Sequence, residues 1–136
     1  MIRSAIVSCG VVLVVLAVTL SAHHSPVLFD RGKRVTLSGT VVEFAWMHPH
    51  ASIQLDVANP AGGVDRWAIE MNSPHNLMKE GWKPALIKTG DRVTVVVNPL
   101  RSGEHCGVFV SIKLSGGQVL GETSLDAIDS KIVSRR

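Results

Sequence analysis

Cysteine is scarce: the 136 residues hold only two, Cys9 and Cys106. Cys9 falls within an N-terminal segment that reads as a cleavable signal, so the mature chain keeps Cys106 alone. That excludes an internal disulfide framework and any paired Cys-x-x-Cys motif. Clustered positive charge is also missing. The whole chain carries 14 Lys and Arg against 11 Asp and Glu, a net charge of +3, and loss of Arg3 with the signal leaves +2. A balance this mild gives no electrostatic footprint for nucleic acid, which is an improbable partner. No Gly-x-Ser-x-Gly elbow is present. Ser73 and His75 lack a third member, so a small hydrolase ranks last among the functional readings. Repeats, heptads and low-complexity tracts are absent as well.

Residues 1–22 are present as a secretory signal should be: Arg3 at the start, an apolar run over 11–20, and the small pair Ser21-Ala22. Leu20 is bulkier than is usual three residues before a cut. The alternative is an uncleaved anchor, but the apolar span from Ala5 to Ala22 reaches only the lower edge of what crosses a bilayer. Cleavage predicts a periplasmic or secreted protein, with no membrane span left and with His23-His24-Ser25 at its new terminus.

That terminus is the sharpest chemical feature. An N-terminal histidine offers a metal two nitrogens from one residue, the free α-amine and the ring Nδ1. All six histidines survive cleavage: His23, His24, His48, His50, His75 and His105. Amine and imidazole nitrogens suit copper and zinc, and copper stands at the top of the divalent affinity order. The expected ligands are His23, through amine and Nδ1, and His50 or His24 for a third nitrogen, with His48 a further candidate. His48-Pro49-His50 would place both rings on one side if the strand phase ran on through the proline. Solvated loop histidines are the plainer reading. Glu70 stands on the outward phase of its strand, where an ion pair with Arg66 is expected ahead of a metal role. Glu104-His105 reads as solvated loop.

The mature chain alternates as strands, after an extended lead-in over 23–33. Over 35–47, Val35, Leu37 and Val41 give way to Val42, Phe44 and Trp46, a one-residue slip of phase just after Gly39. A bulge or bend produces such a slip. Ile53, Leu55 and Val57 mark a second strand, and Trp67, Ile69 and Met71 a third. Ser73-Pro74 starts a short helix over 74–80, stopped by Gly81. Val93, Val95 and Val97 form a fourth strand, and Cys106, Val108, Val110 and Ile112 a fifth. Gly116-Gly117 turns into a brief strand over 118–120. Residues 121–136 are polar and weakly patterned, a loose tail.

Three strands, one helix and two strands is the order of an all-β, five-stranded OB-like barrel. The expected domain is 23–120, with a core of Leu37, Val41, Ile53, Leu55, Ile69, Val95, Val108, Val110 and Ile112. A β-sandwich is the competitor, and the helix between strands three and four counts against it. Phe44, Trp46, Trp67 and Trp82 are expected to fill or plug the barrel. Phe109, on the phase opposite Val108 and Val110, is the one aromatic expected on an open binding face.

The string Ala22-His23-His24-Ser25, then Phe29-Asp30 and residues 35–41, resembles a family of small secreted bacterial proteins of unknown function. The likeness runs on through Phe44-Ala45-Trp46-Met47-His48-Pro49-His50, where that family has Asn-Pro-His. It continues through Trp67, Glu70, Ser73-Pro74, Leu77, Gly81-Trp82 and Gly90-Asp91, to about Leu120. The resemblance implies an exported single domain and brings no activity with it. The departure at His48 tells against that histidine as a general ligand, while His23 and His50 keep their places. Two functional readings stand side by side: a binding domain for copper at the processed terminus, and a metal-free module binding a protein partner at an exposed strand or aromatic patch.

Overall fold

The structure is a computed structural model that describes residues 28–121. Its strands are β1 (Val35–Ala45), β2 (Ser52–Ala58), β3 (Val64–Glu70), β4 (Arg92–Pro99), β5 (Cys106–Lys113) and β6 (Val119–Gly121). Helix α1 (Pro74–Lys79) and a single 3-10 turn (Pro84–Leu86) lie between β3 and β4. Hydrogen bonding runs in the order β3-β2-β1-β4-β5-β6, and a parallel pairing of β3 with β5 closes the ring. Five strands thus make the closed OB-like barrel, and β6 continues the sheet beyond β5. Among the described residues no helix is long and apolar enough to cross a membrane.

Closure depends on β1, whose eleven residues serve two neighbours. Its first half pairs with β4, from Val35 opposite Val97 to Thr40 opposite Arg92. Its second half pairs with β2, from Gly39 opposite Val57 to Ala45 opposite Ser52. The slip of phase is a real irregularity. The β1–β2 register shifts between Val41 and Glu43, so Val42 is the extra residue that bends the strand.

Leu37, Val41, Ile53, Leu55, Ile69, Val95 and Ile112 are buried inside the barrel as the alternation predicts. Strand β5 departs from expectation. The β4–β5 register shifts so that Val96 faces Ser111 and Val97 faces Phe109. Val110 is then left without an opposite, and the alternation reverses across it. Gly107 and Phe109 therefore point inward, a Cβ on Gly107 falling 2.8 Å from Val97 Cγ2. Val108 is only half-buried and does not belong to the core, whereas Phe109 packs against it. Phe109 is itself half-buried, packed against the core on one side and lining an open groove on the other, so the expected open aromatic is met in part.

Helix α1 is short because both ends are fixed by sequence. Ser73 Oγ accepts from the Asn76 N–H at 3.4 Å, and Pro74 takes the first turn. At the other end Gly81 adopts φ +90, a left-handed conformation that costs a glycine little. It lets Trp82 N–H reach Leu77 O at 3.0 Å and Gly81 N–H reach Met78 O at 3.2 Å. Leu77 and Trp82 are both buried beneath this turn, the hydrophobic contact that accompanies such an ending. Trp82 stands edge-on to Phe109, centroids 5.3 Å apart, and tilted to Phe44 at 6.2 Å. Trp82 and Phe44 plug the barrel as expected of aromatics in a fold this small, and Phe109 joins them from β5.

Candidate functional site

An open groove of about 700 Å³ runs along the seam where β3 meets β5, with α1 on one side. Its floor is apolar, formed by Met71, Leu77, Phe109 and Val110 among others, and its rim carries His50, Glu70 and Arg31. Phe29 and Gly121 also line it, so the first and last described stretches of chain both come to this place.

Backbone pairing positions His50, Glu70 and the lead-in. Ala51 N–H donates to Asn72 O at 3.1 Å and Ala51 O accepts from Met71 N–H at 2.9 Å. The preceding residue, His50, is thereby held beside the end of β3. Glu70 is the last residue of that strand, opposite Ser52 on one side and Val108 on the other. The lead-in is pinned by backbone bonds: Asp30 N–H to Pro99 O at 2.8 Å and Arg101 N–H to Leu28 O at 2.9 Å. Phe29 bridges to Leu100 and is 4% exposed. A buried aromatic so close to the first described residue fixes where the preceding chain enters.

The predicted ligands do not all meet here. β1 stops at Ala45 and β2 starts at Ser52, so His48 and His50 lie in the loop between them rather than on a strand. Both are exposed, and only His50 lines the groove. His23 and His24 lie outside the described residues. Among those described, no group of three or more His, Cys, Asp and Glu stands close enough to hold a metal.

Glu70 does not pair with Arg66. Arg66 lies directly across from Asp56 and grips that carboxylate through two nitrogens at 2.7 and 3.0 Å. Those hydrogen bonds hold the Asp56 carboxyl below the usual carboxylate range and push the Arg66 guanidinium up. His105 is not plain solvated loop. Its ring stacks on Trp67 at 5.1 Å, and its Nε2 lies 3.7 Å from the Asp65 carboxylate. Ser73 Oγ is engaged as the helix cap, and His75 is exposed on α1 away from the groove.

Cys106 starts β5 opposite Ala68. Burial pushes its thiol up, and the negative charge of Glu70 adds to that shift. The thiolate is the reactive form, so Cys106 is expected to react with iodoacetamide at pH 8 more slowly than a free cysteine thiol. Its rate should climb as pH rises further. Alkylation followed by mass spectrometry checks this, and a rate equal to that of a small thiol at pH 8 contradicts the burial and charge described.

A protein-family model described as a family of unknown function (DUF6152) matches residues 11–110. No curated protein matches the chain. Among solved structures it is similar to two crystal forms of Rim1, a mitochondrial single-stranded DNA binding protein from S. cerevisiae. Identity is 13% and the TM-score 0.47 in each case, covering 61% of this chain and 93% or 92% of the other.

Proposed function

The chain belongs to this DUF6152 family of unknown function, and from that premise we propose that it is an exported binding domain holding Cu(II) through its processed N-terminus. In this reading cleavage after Ala22 frees the His23 amine. Amine and Nδ1 of His23 close a six-membered chelate, and His50, with His24 as the alternative donor, supplies a third nitrogen. Half of such a site is built before folding, because one residue carries both donors.

The observation that supports the reading best is the anchoring of the lead-in. Phe29 and His50 line the same groove, and Phe29 is only six positions along the chain from His23. An extended chain of that length reaches about 20 Å, ample to bring the terminus to the His50 rim without disturbing the barrel. Glu70 on the same rim offers a carboxylate that would offset the charge of the ion. His48, exposed and outside the groove, is the weakest of the four histidines in this set.

Titration with Cu(II) tests the proposal on three proteins: one beginning at His23, one carrying an extra Gly-Ser before it, and His50→Ala. Changes next to a metal site cost about 10–100-fold in affinity, so loss of a direct ligand is expected to cost at least as much. Binding should also weaken in acid, as amine and imidazoles take up protons. Equal affinity in all three proteins overturns the proposal. The apolar floor of the groove would then favour the metal-free reading, in which a protein partner docks there.

A further inference from the structure

We infer that the barrel binds a phosphomonoester group on the outer face of β4, between the side chains of Arg92 and Lys113. The site stands apart from the copper reading, since it shares no lining residue with the groove and uses no histidine.

Strand register brings its parts together. Thr94 lies opposite Ser38 of β1 on one side and Lys113 of β5 on the other. Side chains two apart along a strand share a face, so Arg92 stands next to Thr94 on the outward side. Ser38, Arg92 and Lys113 are exposed and Thr94 is half-buried, while Val93 and Val95 between them turn into the core. With Ser115, just beyond β5, these residues line a depression of about 240 Å³. Pockets that enclose a drug-sized ligand hold about 300–1,000 Å³. This one suits a single charged group.

Charge decides which group. Arg92 and Lys113 are diagonal neighbours across β4 and β5, and no carboxylate lines the depression. Neither cation has an ion-pair partner among the described residues. The two acids beside them are engaged elsewhere. Asp56, opposite Thr40, is gripped by Arg66, and Asp91 accepts from the Lys88 N–H at 2.9 Å. Ser38 Oγ and Thr94 Oγ1 share a hydrogen bond of 3.1 Å. Whichever of them donates, the other keeps its own hydrogen to give to an anion. A phosphomonoester carries a charge of about −1.5 to −2 and three acceptor oxygens, which matches two cations and a hydroxyl. A carboxylate, with one charge and two oxygens, leaves one cation unmatched. Two cations are also too few to follow a nucleic-acid strand.

The test titrates inorganic phosphate into the metal-free chain from His23 to Arg136, at constant ionic strength, and follows its backbone amide resonances. Saturable shifts are expected at Ser38, Thr94, Lys113 and Ser115. Arg92→Met and Lys113→Met should each weaken binding about threefold to fivefold, the range for exposed charge pairs. Lys79→Met, which removes an exposed lysine of α1, should leave binding unchanged, and acetate should bind more weakly than phosphate. Phosphatidylcholine vesicles with and without phosphatidic acid then identify the source of the group. Cosedimentation that requires phosphatidic acid and falls in both cation variants makes it a lipid headgroup. Phosphate binding without cosedimentation makes it a soluble phosphomonoester. The inference is overturned by an absence of saturable shifts, by an equal loss in Lys79→Met, or by acetate binding as tightly as phosphate. Cu(II) enters none of these measurements, so the copper reading stands or falls separately.

Discussion

Trp82→Ala is expected to lower the free energy of unfolding by about 3–5 kcal/mol, the range found when a buried aromatic is cut to a methyl. Trp82 is 1% exposed and is the largest fully buried side chain among the described residues. It fixes three things at once: the end of α1 through Leu77, the plug of the barrel through Phe44, and the inward turn of Phe109. Among the described residues its indole nitrogen has no hydrogen-bond partner. Burying such a donor costs about 1–3 kcal/mol, so Trp82→Phe removes a penalty together with part of the packing. Phe is therefore expected to lose less than about half of what Ala loses. Urea unfolding of the three proteins, with slopes compared, checks both figures. A loss below about 1 kcal/mol for Ala would mean that the plug is not structural.

Gly39→Val comes next, at about 3 kcal/mol, the upper end for overpacking in a tight site. Gly39 is where β1 is shared, opposite Val57 of β2 and Val93 of β4. A Cβ there would fall 2.3 Å from the backbone oxygen of Asp56 and 3.0 Å from Leu55 Cγ. Backbone on a paired strand has no room to retreat. The first carbon makes the clash, so Gly39→Ala is expected to lose nearly as much as Val. That near-equality separates a close approach of strands from ordinary crowding, in which the larger residue would be much worse. An unchanged urea midpoint for either variant contradicts the close approach.

The barrel was legible in the sequence because each of its devices is local. Ser73, Pro74 and Gly81 define α1 within nine residues. The strand order on either side of that helix narrows the architecture, and the slip beyond Gly39 marks the strand that two neighbours share. Long-range register was not legible. Nothing along β5 alone reveals that Val110 is left unopposed, because the irregularity belongs to its pairing with β4. Val108 is therefore half-buried rather than core, and Phe109 packs against the core while still lining the groove. Arg66 was likewise assigned to Glu70, its neighbour along the strand direction, although the register sets it against Asp56.

The groove was invisible for a similar reason. Phe29, His50, Glu70, Leu77 and Phe109 come from five separate parts of the chain, and only barrel closure brings them together. His50 was marked from the sequence as a donor. Its place at the end of β3 depends on the paired hydrogen bonds of Ala51 with Met71 and Asn72, which no spacing rule supplies. The shared lining of one groove by Phe29 and that histidine is the link between sequence and proposed chemistry.

The most direct measurement is intact mass and metal content of protein recovered from cells expressing the full 136-residue chain and purified without added metal or chelator. The account predicts His23 as residue one, stoichiometric copper, and an electron paramagnetic resonance spectrum of nitrogen ligation that disappears when Gly-Ser precedes His23. A chain that still carries residues 1–22, or a His23-terminated protein that neither holds copper nor takes it up, contradicts the account.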